Sequence, residues 1–455
     1  MSIRRIAIVG AGITGLTAAY RLSEAGEHVT VLEANECAGG PIQSPRKEGF
    51  QLERGPHTIL EKNLAIARLI DDLGLGDDVV EASSEAKKRF VVRDGHLHPV
   101  PMSPLEMVTS DLLSGRAKLR ALLEPFRSKG PERDESLANF IRRRLGPEVL
   151  EYAVGPLVGG IFAGKPSRLS ARHAFTRMYE LERDHGSLTR GMIARMLSGL
   201  FDDAEKPGRR LLSFESGSHR IVDALTDALD DSIRYGFRVA GMRRSESGEW
   251  TISSATEESA GGFDEVIWTA PAYALPDISL GNAHDSDEDL AAFGDVYYPP
   301  VAIVALGFRR SQIDHPLDGF GFLMPESEPY RILGSLFMSS IFPGRAPEGR
   351  CLLSTFVGGS RQPELVNRPD DALVNMVVDD LRDLVGARGQ PEMSDVFTWE
   401  RAIPQYELGY GRILDRFEQI ESRYDGLRFT GSFRNGIAVP DLVAAATETA
   451  SSMLN

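Results

Sequence analysis

The sequence predicts an α/β protein: a Rossmann-type nucleotide-binding domain, a helical insertion, and a second domain built on a mixed sheet. Three observations predict it. Residues 3–33 read as strand, glycine turn, helix and strand. The stretch 104–200 is helical in pattern, with Gly and Pro at its joints. After it, short β-branched runs return between turn signals, and the chain ends on a strand followed by a helix. A chain of 455 residues exceeds what one hydrophobic core organises, so two or three domains are expected.

The first strand, 3–9, is a continuous β-branched run, as expected of a parallel strand buried on both faces. Gly10-Ala11-Gly12-Ile13-Thr14-Gly15 follows, and 16–25 reads as a helix stopped by Gly26. A second buried strand, 28–32, ends on Glu33 and closes a βαβ unit. Helices are expected at 115–126, 134–145, 147–157, 170–182 and 187–201. Strands are expected at 232–239, 250–253, 263–270, 301–308, 319–324, 330–338, 350–357 and 427–431, and a last helix at 440–453. The acidic segment 284–289 reads as a solvated loop.

The glycine fingerprint has its full context, a strand before it and a helix after it. Gly10 permits the tight turn, Gly12 lets backbone approach a pyrophosphate, and Gly15 allows close helix–strand packing. The pyrophosphate would meet free N–H groups and the positive end of the helix dipole. Glu33, 18 residues past Gly15, suits ribose hydroxyls and would repel a 2′-phosphate. A second glycine pair, Gly39-Gly40, and the run Glu53-Arg54-Gly55-Pro56 suit a longer cofactor passing close to backbone. The terminal helix, starting near Pro440-Asp441, either points its N-terminus at that cofactor or simply packs; spacing leaves the two open.

Composition is that of a globular protein, 42% hydrophobic and 26% charged. A formal charge of −15 argues against nucleic acid as a partner, because phosphates would be repelled. Two distant cysteines, Cys37 and Cys351, make neither a disulfide framework nor a zinc site and fit a reducing, cytoplasmic compartment. Arg4-Arg5 before an apolar run imitates a twin-arginine signal, but the threonines and glycines that follow suit a strand and turn better. No apolar run is long enough to span a bilayer. One stretch runs against the overall charge. Residues 87–144 hold 13 Lys and Arg against 7 Asp and Glu, interleaved with Leu105, Met107, Val108, Leu112, Leu113, Leu119, Leu122, Leu123 and Phe126. Such a segment suits contact with an anionic membrane surface. It would equally suit a homodimer interface or the interior of its own domain.

The stretch IVGAGITGL…VLEANECAGGPIQS…GFQLERGPHTIL resembles the protoporphyrinogen oxidase family of heme synthesis, within the flavin amine oxidase-like superfamily. The resemblance runs nearly end to end, through RRLGPEVLEYAVGPLVGGIFAGKPSRLS (143–170), DGFGFLMP (318–325), WERAIPQYELGY (399–410) and GLRFTGSFRNGIAVPDL (426–442). It implies FAD as cofactor, a tetrapyrrole substrate and molecular oxygen as acceptor. It implies FAD contacts at Gly10, Gly12, Ile13, Thr14, Gly15, Glu33, Ala34, Gly40, Gln43, Gly55, Pro56, His57 and Thr58, then at Val239, Trp399, Ile437, Ala438 and Val439. Substrate contacts would come from Arg89, Leu157, Gly160, Phe320, Gly321, Leu323 and Phe356.

These residue types suit a large apolar ring with carboxylates at its edge. Arg89 can pair bidentately with a propionate; without the resemblance it reads as part of a solvated Lys87-Lys88-Arg89 run. No catalytic dyad is implied, since the flavin carries the chemistry. His57 reads as a loop residue that meets the cofactor through its backbone, rather than as a base. Pro41, Ala438, Pro440 and Leu442 depart from the residues common in relatives. The expected domains are 1–86, 205–272 and 405–455 for FAD, 87–204 for the helical, membrane-facing segment, and 273–404 for substrate. Protoporphyrinogen oxidation is the leading reading. Coproporphyrinogen oxidation is the near alternative, and an amine oxidase or carotenoid-type desaturase the distant one.

Overall fold

A parallel five-stranded sheet and an antiparallel-rich seven-stranded sheet organise the molecule. They are seen in a computed structural model that describes residues 3–130, 133–199, 210–282 and 288–454. The expected loop at 284–289 and the end of the helix expected at 187–201 therefore fall largely outside the described residues. In chain order the strands used below are β1 (Arg5–Val9), β2 (His28–Leu32), β3 (Arg89–Arg93), β4 (His96–Pro99), β5 (Ile233–Arg234), β6 (Glu265–Trp268), β7 (Val301–Arg309), β8 (Gly321–Leu323), β9 (Ile332–Phe337), β10 (Arg350–Gly358), β11 (Met393–Trp399) and β12 (Leu427–Phe429). The helices are α1 (Ile13–Glu24), α2 (Gly155–Phe162), α3 (Leu188–Gly199), α4 (Asp370–Val385) and α5 (Val439–Leu454).

The first sheet runs β5-β2-β1-β6-β12, every neighbour parallel. Its strands are apolar at successive positions because both faces are covered. Ile6 and Ile8 pack with α1 and α5, while Ala7 and Val9 face a second core holding Trp250, Trp268 and Phe293. That second core lies under a four-stranded sheet that includes Val239–Arg244 and Trp250–Ser254.

The second sheet runs β11-β7-β10-β9-β8-β3-β4. Only β8 and β3 are parallel within it. The segment 87–204, expected as helical, opens instead on strand, because β3 and β4 form a hairpin on the edge of this sheet. The physical cause is the Asp94-Gly95 turn, where both residues have positive φ, +52° and +74°, as a two-residue hairpin requires. Alternate residues of this sheet, among them Phe90, Val92, Ala302, Val304, Phe322, Leu353 and Val357, form a core with α4. The intervening residues point the other way.

The helices of 104–199 surround a small core of their own, locked by charge. Arg144 is fully buried, as is Glu124; its Nη2 lies 2.9 Å from Glu124 Oε1 and its Nε 3.2 Å from Glu182 Oε1. Arg143 also bonds Glu182. Glu124 further accepts from Ser187 Oγ and the Leu188 amide. Arg144→Leu would leave Glu124 buried without its cation. A loss of about 3–5 kcal/mol is expected, read as a fall in urea or thermal midpoint. A variant within about 0.5 kcal/mol of wild type would show that the pair does not hold these helices.

Candidate flavin and substrate site

The glycine turn sits at the carboxyl end of β1. Gly10 has φ +102° and its amide donates to Leu32 O at 2.8 Å, tying the turn to β2. A Cβ at Gly15 would stand 2.0 Å from Gly10 O, so only glycine lets α1 begin this close to the strand. At Gly12 the situation is opposite: an added Cβ would meet nothing within 4 Å. No side chain caps α1 there. Open space above an uncapped helix N-terminus is what a pyrophosphate needs. Ile13 and Thr14 form the first helical turn.

Glu33 is buried at the end of β2 and accepts from the Ala11 amide at 2.7 Å and the Asn35 amide at 2.9 Å. Asn35 Nδ2 also donates to Glu33 Oε1 at 2.7 Å, which leaves a lone pair on Oε2 for a hydroxyl donor. Ala34 follows it. Phe237 N donates to Glu33 O, which brings Val239 to the same end of the sheet. On the other side of the turn, a Cβ built on Gly40 would lie 3.8 Å from Gly12 Cα, and Gln43 Nε2 donates to Gly40 O at 3.2 Å. Gly55 crosses directly under Pro41, where a Cβ would be 1.8 Å from the Pro41 oxygen. Residues 40–43 and 55–58 thus form one layer, including Pro56 and Thr58. Trp399 Nε1 donates to Arg54 O at 2.5 Å. The start of α5 joins the layer through Asn63 Nδ2, which donates to Pro440 O at 2.7 Å. Val439 packs in the core of α1, with Ile437 and Ala438 just before it. The residues present therefore fit a bound dinucleotide.

The sheet-borne substrate candidates share one face. Arg89, Gly321, Leu323 and Phe356, together with the FAD-contact candidate Trp399, occupy the alternate positions that point away from α4. Gly321 pairs with Arg89 in register. Phe320 stands beside them, and the Arg89 guanidinium lies 5.2 Å from its ring centre, a cation–π contact. From above, α2 closes on the same face: a Cβ at Gly160 would meet Leu323 Cδ2 at 2.5 Å, and Leu157 is partly exposed one turn earlier.

His57 connects the two halves. Its ring is 5.0 Å from Phe356, edge to face. Nδ1 lies 2.8 Å from Gly55 O and Nε2 2.7 Å from Ser354 Oγ. The Gly55 carbonyl can only accept, so Nδ1 carries the proton, and Nε2 accepts from the Ser354 hydroxyl. Burial holds the imidazolium form down, to a pKa of about 4, and the nearby Arg345 cation adds to this. A ring with both nitrogens engaged is not a free base. Ser354 itself was not singled out in the sequence; nothing local marks it, because its partner is 297 residues away.

The sequence profile of the flavin containing amine oxidoreductases matches residues 13–454. The chain belongs to that family. It is an FAD-dependent oxidoreductase, and its relatives place it among the porphyrinogen oxidases. It is 34% identical to the mitochondrial protoporphyrinogen oxidase of Nicotiana tabacum, over 96% of this chain and 92% of that protein. It is 30% identical to the coproporphyrinogen III oxidase of Bacillus subtilis (strain 168), over 97% and 96%. A crystal structure of an Exiguobacterium sp. 255-15 protein, assigned as a protoporphyrinogen oxidase, superposes with a TM-score of 0.81 at 28% identity, over 100% and 99% of the two chains.

The geometry of His57 carries a pH prediction. A folded-state pKa of about 4, below the ordinary 6.5, means that protons favour the unfolded chain. Its contribution is complete above about pH 6.5 and is lost as pH falls towards 4, by up to about 3 kcal/mol. The difference in stability between wild type and His57→Asn, measured by denaturant titration from pH 4 to 8, should shrink as the pH falls. A difference independent of pH would mean that the ring is solvated.

Proposed function

We propose that this flavoprotein oxidises protoporphyrinogen IX to protoporphyrin IX, with molecular oxygen as the final acceptor. The observation that carries the reading is the single sheet face on which Arg89 stands at the edge of an apolar wall, while the other arginines at the same alternate positions, Arg93, Arg309 and Arg350, are paired with carboxylates. When bound, FAD supplies the hydride acceptor, and three two-electron oxidations complete the porphyrin. The protein's part is to orient. Phe356, Leu323 and Leu157 present apolar surface to the macrocycle. Gly160 lets α2 come down onto Leu323 and Gly321 lets β8 pass close to the Ser335 carbonyl, which shapes the wall, and Arg89 takes an edge carboxylate. Arg89 has no acidic partner among the described residues and remains exposed, so it can pair with an incoming propionate. The roles of the flavin-side residues are those of the layer described above: Gly10 to Gly15 for the pyrophosphate, Glu33 for ribose, and Ile437 to Val439 and Trp399 near the ring. Pyrrole protons leave to water, and His57 positions the loop without accepting one.

Coproporphyrinogen III is the second reading, favoured by the Bacillus relative. Its four carboxylates ask for more cations than Arg89, the arginine of that face without an acidic partner among the described residues, supplies. Anaerobic reduction of the bound flavin by each porphyrinogen, followed by kcat/KM under air, separates the two. Protoporphyrinogen should be the better substrate; a clear preference for coproporphyrinogen reverses the assignment. In the same assay Arg89→Ala should raise KM by an amount worth about 1.5–3 kcal/mol while FAD content stays normal. Unchanged kinetics would return Arg89 to the surface.

We also propose that the helical segment rests on an anionic lipid surface. Leu112 and Leu113 turn inward, but Leu119, Leu122, Leu123 and Phe126 do not, with Leu122 71% and Phe126 80% exposed. The Leu105 and Val108 side chains lie outside the described residues. Met192, Ile193 and Met196 of α3 add exposed apolar surface, and α3 packs beside the turn that ends at Phe126. Arg116, Lys118, Arg120, Arg127 and Lys129 flank the patch, and cations beside apolar side chains suit an anionic interface. No helix among the described residues is long and apolar enough to cross a membrane. Liposome flotation should show binding that needs anionic lipid and weakens with salt. Protein that stays at the bottom of the gradient with every vesicle, or a homodimer that buries the patch, would refute this.

A further inference from the structure

One segment touches both halves of the site without belonging to either. Residues 403–410, Ile-Pro-Gln-Tyr-Glu-Leu-Gly-Tyr, cross between the helical unit and the turn that leads into α5. Neighbouring side chains reach in different directions. Tyr406 is buried, and its hydroxyl donates to Ser432 O and accepts from the Gly436 amide at 2.9 Å. Both ends of the turn 432–436 thus close on one oxygen atom. Tyr410 Oη donates to Phe433 O at 2.5 Å within the same turn. Gln405, 1% exposed, points the other way, and its Nε2 donates to Phe162 O at 2.7 Å. Phe162 is the last residue of α2, the helix that carries Leu157 and Gly160. The segment is itself fixed from several sides. Ser170 N donates to Tyr406 O at 2.8 Å, Gln405 N to Tyr297 O at 2.9 Å, and Gly409 N to Asp134 Oδ2 at 2.9 Å.

We infer that Gln405 and Tyr406 set the gap between the flavin and the substrate wall, Tyr406 by positioning the turn before Ile437 and Gln405 by positioning α2. This rests on the function proposed above, in which residues 437–439 lie beside the flavin and α2 lines the substrate. Each side chain acts on its own side: the Tyr406 hydroxyl bonds the 432–436 turn, while Gln405 Nε2 bonds Phe162 O and, within its own segment, Ile403 O. Gly436 N and Ser432 O would lose their shared hydroxyl in Tyr406→Phe, and the Phe162 carbonyl would lose its donor in Gln405→Met. Neither change removes much volume, so the ring or the chain still fills its site.

The test is a crossed measurement on the whole protein. Tyr406→Phe should raise the Kd for FAD on the apoprotein about tenfold and shift the flavin midpoint potential and visible spectrum. Its KM for protoporphyrinogen IX, measured on FAD-saturated enzyme, should stay within about twofold. Gln405→Met should do the reverse: KM up about tenfold, with Kd for FAD and potential unchanged. Both parameters moving together in both variants, or neither moving, overturns the inference. Ala438→Leu and Leu157→Ala separate this from failure of the underlying reading. If Ala438→Leu leaves FAD binding intact and Leu157→Ala leaves KM intact, the reading falls and the inference with it. If both respond while the 405 and 406 variants do not cross as stated, the inference alone falls. Should a variant not fold, hydrogen exchange of wild-type holoenzyme still decides the Tyr406 half. The peptide spanning 432–438 should be protected at Gly436, and exchange at the rate of an open loop overturns it.

Discussion

At position 15 a side chain larger than hydrogen has nowhere to go. The Gly10 carbonyl fills the space where its Cβ would stand, and Thr269 Oγ1 lies 2.7 Å from the same point. Thr269 in turn donates to Val9 O and Gly10 O, so β1, β6 and α1 meet at one packed corner. Much follows from that contact. It aims the start of α1 past the end of the sheet, at the space above Gly12. It brings Glu33 to the Ala11 amide and lets residues 39 and 40 lie against the turn. It also fixes where α5 can pack, since α5 shares the core of α1. A dinucleotide site needs all of these at once, and one close approach of helix to strand supplies them.

The second sheet solves a different problem. Its two faces do unlike things: one closes a core against α4, and the other is the face to which the proposed function assigns the substrate. The pleat separates them, because successive side chains point to opposite sides. Register then carries the separation across seven strands, so that Arg89, Leu323, Phe356 and Trp399, scattered over 311 positions of chain (89 to 399), end on one surface. Polar residues on that surface find partners outside the sheet, as Asp395 does with Lys47 and Arg54.

The parts legible in the sequence were those with local signals. The βαβ unit, the glycine turn and the last strand and helix stand where hydrophobic period and turn residues place them. Strands such as β7 and β10 were readable as apolar runs. The misreadings have physical reasons. The β3–β4 hairpin carried an Asp-Gly signal, but its charged neighbours suggested a solvated run. β11 alternates, yet its outward positions include Asp395, Phe397 and Trp399, so it lacks a clean polar face. α4 has no counterpart among the expected elements, although Leu373, Met376, Val377, Leu381 and Leu384 recur at helical spacing and are buried. In the site, the glycines and Glu33 announced themselves by spacing, and Arg89 and the apolar wall came from resemblance. Gln405, Tyr406 and Ser354 act through partners far away in sequence, Phe162 being 243 residues from Gln405. No local pattern encodes such pairings.

The pleat of the second sheet has an evolutionary corollary. Positions facing α4 answer to stability, and their neighbours, one residue along, answer in the proposed function to the ligand. Substitutions of the two kinds alternate along each strand and share few contacts, so their effects should be close to additive. A lineage could therefore drift from one tetrapyrrole to another through the odd members of a strand while the even members kept the fold intact. Relatives with different substrates at similar distance from this chain are what such a separable inheritance would leave behind.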